Sequence, residues 1–255
     1  MPDIIPLQDE IVYGPIRSRR LGSSLGINVL PLGHKACSSN CVYCQYGWTL
    51  PGPFTERLKR APELLPEIEA AFRQHAHQGT PVDSITLAGN GEPTLHPDLD
   101  ALIVGLTRLR DTYFPSAAVS ILSDSTQLVR PRVREALARL DVRYLKFDAG
   151  DAATWQAINK PLSQLTFQDM VDAMKLVPDI VLQSMFIRGA YDNTQPAHLR
   201  AWIRQVGDIR PRLVHVYTVD RGTAAPGIED VPREQLEAIA SALTGGTGIP
   251  ADVFD

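Results

Sequence analysis

Short apolar runs rich in branched residues recur along the chain, and each gives way to a longer stretch whose apolar positions return every three to four residues. The runs predict strands at "LGINVL" (25–30), "SITLAG" (84–89), "AVSILS" (118–123), "RYLKFD" (143–148), "IVLQSMF" (180–186) and "LVHVYT" (213–218). The longer stretches predict helices at 62–76, 97–113, 130–140, 166–177 and 195–207, and "VPREQLEAIASALTGG" (231–246) adds one more, closed by glycines. Thr166 followed three residues later by Asp169 is a capping signal for one of them.

Near-continuous apolar strands alternating with helices imply a parallel sheet with crossover helices outside it. Six such units, where a closed barrel would need eight, predict an α/β fold built as a partial (β/α)6 barrel with parallel strands, its chemistry at the carboxyl ends of the strands. No repeat, low-complexity segment or linker divides the chain. Residues 1–255 are therefore read as a single domain: an N-terminal extension over 1–24, a core over about 25–225 and a C-terminal helix over about 232–245. The end at "GIPADVFD" is expected to leave the closing side of the barrel short, for a partner or substrate to cover.

At 255 residues, 44% hydrophobic and 21% charged, the chain is an ordinary globular sequence able to bury a full-sized core. It has no apolar run long enough to span a bilayer, and "MPDIIPLQDEIVYG" lacks a basic region followed by an apolar one, so a cytoplasmic location without membrane contact is expected. The formal net charge of -4 gives no global reason for avid nucleic-acid binding. Basic side chains do gather locally. Arg17, Arg19 and Arg20 precede the first predicted strand, where a guanidinium would hold a carboxylate or phosphate, while Arg130, Arg132 and Arg134 read as the solvated face of a helix.

"KACSSNCVYCQYG" (35–47) changes the picture, because Cys37, Cys41 and Cys44 are the only cysteines in the chain. Thiolates suit zinc and iron-sulfur clusters, and Ser38, Ser39 and Asn40 allow a tight loop in which the three converge. Four ligands would close a structural site, whereas three leave a coordination position open. Spacing alone admits an iron-sulfur cluster, a structural zinc completed by His34, or coincidence.

The C-x3-C-x2-C spacing, with Tyr43 just before the last cysteine and the loop following the first predicted strand, resembles the radical S-adenosylmethionine superfamily. "AGNGEPTLHPDL" (88–99) resembles the family's glycine-glycine-glutamate segment, with Asn90 in place of the second glycine. Together with "YGPIRSRRLGSSLGINVLP", these stretches resemble a stand-alone subgroup related to the wyosine tRNA-base synthases, over roughly residues 13–225.

The resemblance implies that Cys37, Cys41 and Cys44 hold three irons of a 4Fe-4S cluster and that S-adenosyl-L-methionine chelates the fourth. It further implies cofactor contacts from Tyr43, from Gly89, Asn90, Gly91 and Glu92, from Ser123, from Lys146 and Asp148 near the ribose, and from Gln183 near the adenine. For Ser123 a strand-end cap, and for Lys146 with Asp148 a structural ion pair, stand as the plain alternatives. An external one-electron reductant of flavodoxin or ferredoxin type would reduce the cluster, and a 5'-deoxyadenosyl radical would take hydrogen from the substrate. With no fourth cysteine, a second thiolate-held cluster is excluded, which argues against the wyosine reaction itself. A small molecule, tRNA or a partner protein each remains open as substrate. A non-catalytic metal-binding or electron-transfer module is the alternative in a different class.

Overall fold

The computed structural model describes residues 4–50 and 57–255; the first three residues of the expected N-terminal extension lie outside them. Its main sheet holds eight strands in the order β1-β2-β3-β4-β5-β6-β8-β10. In this sheet β2 (Gly22–Ile27), β3 (Ser84–Leu87), β4 (Ala118–Ser123), β5 (Val142–Lys146), β6 (Ile180–Met185) and β8 (Leu213–Tyr217) are the six expected strands, mutually parallel. The curled sheet is the partial barrel that the sequence predicts.

Two further strands lie where none was expected. β1 (Val12–Ser18) pairs antiparallel with β2, so the segment read as an extension forms one edge of the sheet. β10 (Ala251–Phe254) pairs parallel with β8 and forms the other, so "GIPADVFD" supplies a strand on the side expected to lie short. A two-residue ribbon, β7 (Arg188–Gly189) with β9 (Ile228–Glu229), stands apart from the sheet.

Helices α1 (Ala61–His77), α2 (Leu99–Tyr113), α3 (Pro131–Leu137), α5 (Phe167–Met174), α6 (Pro196–Ile209) and α7 (Arg233–Thr247) match the predicted stretches, and α4 (Ala152–Asn159) is additional. At the start of α5, Thr166 Oγ1 accepts from the Asp169 N–H at 3.1 Å while the Asp169 carboxylate accepts from the Thr166 N–H at 3.3 Å, as the sequence signal required.

Strand side chains alternate between two environments. One face, with Ile27, Leu87, Ile121 and Leu145, packs against Ile68, Phe72, Leu102 and Leu106 in a continuous core, where each fully buried aliphatic or aromatic side chain contributes about 1.5–3 kcal/mol. The face turned into the barrel mixes polar side chains with apolar ones such as Leu122 and Met185. Ser24, Ser84, Thr86 and Ser120 form a buried hydroxyl network there at 2.9–3.1 Å. Among the described residues no helix is long and apolar enough to cross a membrane.

Candidate functional site

The loop after β2 carries the three cysteines and is fastened on two sides. On one side Ala36 bridges to Gly91: the Ala36 N–H donates to the Asn90 carbonyl at 2.8 Å and the Glu92 N–H donates to the Ala36 carbonyl at 2.9 Å. Gly91 has φ +138°, and a Cβ there would lie 1.7 Å from the Ala36 carbonyl oxygen, so only glycine admits this approach. On the other side the Asn40 N–H donates to the carbonyls of Asn159 and Lys160, and the Val42 N–H to that of Ile158, all at the end of α4. The helix missing from the sequence reading is thus what clamps the cysteine loop.

Polar hydrogens converge on two of the sulfurs. Lys35 Nζ donates to Cys44 Sγ at 3.1 Å and to the Gly47 carbonyl at 2.6 Å. Cys41 Sγ accepts from Lys146 Nζ at 3.3 Å and from Asn159 Nδ2 at 3.5 Å. Burial pushes the Cys41 thiol upward, against the pull of Lys146; burial and then the Asp124 carboxylate push Cys37 well up. Burial also opposes the charge on Lys146, but Cys41, Tyr43 and Asp148 outweigh it and hold the ammonium protonated.

Beside the loop, the "GNGE" turn and the end of β4 form one hydrogen-bonded unit. Glu92 is 2% exposed and accepts from the Thr94 N–H and hydroxyl, from Ser123 Oγ at 2.9 Å and from the Asp124 N–H. Burial, with Asp124 nearby, raises its carboxyl to about 8 against those donors. Asp124, the residue after β4, accepts from Ser38 Oγ at 2.9 Å and Ser39 Oγ at 2.7 Å, which ties β4 to the cysteine loop. The small polar residues between the cysteines are therefore tethers as well as loop formers.

Tyr43, Gly89, Gly91, Glu92, Ser123, Lys146 and Gln183 line one cavity of about 410 Å³ together with Cys37, Cys41 and Cys44. Asn90 and Asp148 do not. Asn90 turns its side chain the other way: Oδ1 accepts from the Gln8 N–H at 2.7 Å, and Nδ2 donates to the carbonyls of Gln8 at 2.9 Å and Pro31 at 3.0 Å. Asp148 is 2% exposed, with both oxygens occupied by Tyr43 OH, Asn159 Nδ2 and the Met185 N–H, so it buttresses Tyr43 from behind. Lys146 lies 5.1 Å from the center of the Tyr43 ring. The Asp148–Tyr43–Asn159 node had no signal in the sequence, because Asn159 belongs to the unrecognised α4.

Among the described residues no group of three or more His, Cys, Asp or Glu is gathered so as to hold a metal ion. The three thiols thus border a shared space without converging on one point.

The radical SAM superfamily model matches residues 33–189. The UPF0026 protein of Helicobacter pylori strain 26695 is 30% identical over 216 residues, covering 83% of this chain and 67% of that protein. By contrast, the chain spans only 35% of the length of another curated relative, the GTPase Obg of Brachyspira hyodysenteriae, at 29% identity over 97% of this chain. Among solved structures, a radical SAM methyltransferase from Sphaerobacter thermophilus shares the fold with TM-score 0.66 and 16% identity, over 91% of this chain and 65% of that one. TYW1 with a lysine-pyruvate adduct bound shares it with TM-score 0.65 and 13% identity, over 88% of this chain and 74% of that one.

Proposed function

The chain belongs to the radical SAM superfamily, whose members use a 4Fe-4S cluster and S-adenosylmethionine, and on that premise we propose that Cys37, Cys41 and Cys44 each hold one iron of such a cluster and leave the fourth iron to S-adenosylmethionine. One observation carries this reading: three thiols from one doubly clamped loop border a single cavity, and two of them already accept from lysine ammonium groups. The donor set fits the group. Three soft ligands on three separate irons need not meet at a point, whereas the alternative zinc site, completed by His34, would require convergence.

When bound, the cluster and S-adenosylmethionine supply one-electron cleavage of a sulfonium bond and a carbon radical able to take hydrogen from substrate. The chain's own residues hold and screen them. Lys35 and Lys146 each set a positive charge against a thiolate, which stabilises the charged ligands in a buried site. Gly89, Gly91, Glu92 and Ser123 would hold the methionine end of the cofactor, and Tyr43 with Lys146 would hold its ribose side. Asn90 and Asp148 act from behind, by fixing the turn and the ring. The reading keeps the sheet from β1 to β10 in one domain and requires an external one-electron donor of flavodoxin or ferredoxin type, since all three cysteines are taken. Hydrogen abstraction from an organic substrate follows as the activity.

Anaerobic reconstitution with iron and sulfide tests this. The expected result is about four irons and four sulfides per chain, a reduced-state spin-resonance signal that changes on adding S-adenosylmethionine, and 5'-deoxyadenosine formation lost in Cys37→Ser, Cys41→Ser and Cys44→Ser. Stoichiometric zinc, with neither cluster nor cofactor cleavage, would overturn it.

A further inference from the structure

The hairpin between β1 and β2 does more than edge the sheet. Ser18 Oγ accepts from the N–H groups of Arg20 and Leu21 at 3.2 and 3.1 Å and so fixes the turn, which projects Arg19 and Arg20 across the barrel toward β6 and β8. Arg19 pairs with Asp220, after β8, at 2.8 Å. Arg20 reaches further in. Its Nη1 donates to Gln183 Oε1 at 2.7 Å, and its guanidinium lies 4.2 Å from the center of the Tyr217 ring.

Two features of this contact are incomplete without a ligand. First, the other buried or anchored cations of the cavity already meet an anion or a sulfur: Arg19 and Arg221 approach Asp220, Lys35 meets Cys44, and Lys146 meets Cys41. Arg17 stands exposed on the hairpin. Arg20, half-buried, forms no ion pair among the described residues. Second, Gln183 is 5% exposed and lines the cavity, yet its Nε2 has no hydrogen-bond partner. A buried amide nitrogen left unpaired is a standing cost, and here it is a donor beside a cation that still has free donors of its own. Every polar group on offer gives a proton. The complement is an oxyanion.

We infer that Arg20 and Gln183 form a subsite inside the barrel that binds a carboxylate or phosphate group of the substrate. The inference rests on the proposed function, which makes this cavity the place of reaction. Gln183 pairs in register with Lys146, the last residue of β5, so the subsite lies level with the strand-end residues assigned to the cofactor, on the side of the cavity where the hairpin reaches β6 and β8. Gln183, expected from the sequence to border adenine, instead serves the substrate, and of the three hairpin arginines Arg20 is the one that recognises it. A planar guanidinium carrying an amide on one edge still presents a two-donor edge, which matches the paired oxygens of either anion.

Anaerobic calorimetric titrations of the reconstituted protein with S-adenosylmethionine present, with sodium succinate and sodium phosphate as separate probes at ionic strength held by chloride, decide it. One probe is expected to bind one-to-one, and which of them binds tighter assigns the substrate group as carboxylate or phosphate. Arg20→Gln should weaken that binding by about 30-fold or more, about 2 kcal/mol at 1.4 kcal/mol per tenfold, and Gln183→Leu by about 10-fold. Arg139→Gln, which alters an outer-surface ion pair with Asp100, should leave it unchanged. The inference is overturned if neither probe binds the unaltered protein, if Arg20→Gln and Gln183→Leu both bind as the unaltered protein does, or if the probes bind only without S-adenosylmethionine, which would give the subsite to the cofactor's own carboxylate. Arg20-dependent binding in a protein that never binds or cleaves S-adenosylmethionine would instead uphold the anion site and sink the proposed chemistry.

Discussion

Gly91→Ala tests whether the cysteine loop and the glycine-rich turn are one mechanical unit. A Cβ at this position would stand 1.7 Å from the carbonyl oxygen and 2.3 Å from the carbonyl carbon of Ala36, both backbone atoms that no rotamer change can move. Relief requires the two segments to part, which breaks the Ala36 N–H to Asn90 carbonyl bond at 2.8 Å and the Glu92 N–H to Ala36 carbonyl bond at 2.9 Å. Two backbone hydrogen bonds contribute about 2 kcal/mol, and holding a residue with a side chain at φ +138° costs about 1–3 kcal/mol more. The expected loss is about 3–5 kcal/mol, a fall in Tm of roughly 6–20 °C for a domain of this size. Because Ala36 immediately precedes Cys37, the same variant should also bind less iron. Anaerobic thermal melts and iron counts on reconstituted protein measure both. A Tm within about 2 °C of the unaltered protein, with full iron content, would refute the coupling. Gly89→Ala is the companion measurement: its φ is equally unusual at +139°, but the obstruction at 2.6 Å is the Asn28 side chain, so its loss should be smaller.

Asn90→Ala should cost about 3 kcal/mol from three lost hydrogen bonds and release the segment around Gln8, seen as faster amide exchange at residues 5–10; unchanged exchange would show that Asn90 is not its anchor. His215 sits on the barrel face between Tyr144 and Phe254, and burial, aided by Arg20 and Arg212, lowers its pKa from 6.5 to about 4. Since the unfolded state takes up the proton first, stability is full above pH 6.5 and declines as pH falls toward 4, by about 1.4 kcal/mol between pH 7.5 and 5.5; His215→Gln should flatten that part of the curve in melts at the two pH values, and an unchanged slope would contradict it. Lys146→Met removes the ammonium beside Cys41, so the cluster's reduction potential should fall in a spin-resonance redox titration, whereas an equal or higher potential would deny Lys146 its screening role.

What the sequence revealed and what it hid follow the same physical divide. The six parallel strands are legible because at least one face of each is buried in the outer core, so apolar character persists along them. β1 is not legible: "VYGPIRS" is a largely exposed edge strand interrupted by Gly14 and Pro15. β10 spans Ala251–Phe254 and is only partly buried, and α4 buries polar Thr154 and Asn159 beside Trp155 and Ile158, so its inner face shows no apolar period. The cysteines and the "GNGE" turn could be found from spacing because their chemistry demands particular residue types close together in the chain. Arg20 and Gln183 are 163 positions apart, and Asn159 is 118 from Cys41, so nothing local marks either pair. Asn90 was misleading in a useful way: a residue occupying a glycine position suggested a ligand contact, but its side chain is consumed by the backbone of Gln8 and Pro31.

The polar inner face of the sheet explains why this fold needs both of its unexpected edges. In a parallel sheet covered on both sides by protein, inward positions would be filled with branched aliphatic residues. Here they include Ser24, Thr86, Ser120, Lys146, Gln183 and His215, mostly buried, beside a few apolar side chains such as Leu122 and Met185, and the hydrogen bonds of the polar ones run largely among themselves or to the hairpin. Such a face gains little from packing, so the space it encloses must be bounded by something other than a second core layer. β1 supplies one boundary: Tyr13 lies over Gly26, where any Cβ would meet its ring at 2.1 Å, and Arg20 spans to Gln183 and Tyr217. β10 supplies the other, setting Phe254 4.9 Å from His215 across the β8 edge. Most of the hydrophobic energy that holds the molecule together thereby lies in the outer layer between sheet and helices, with a smaller cluster of Val42, Tyr43, Ile158 and Ile187 about the cysteine loop, and much of the interior is left to be specified by polar groups, one of whose donors, Gln183 Nε2, still lacks its acceptor.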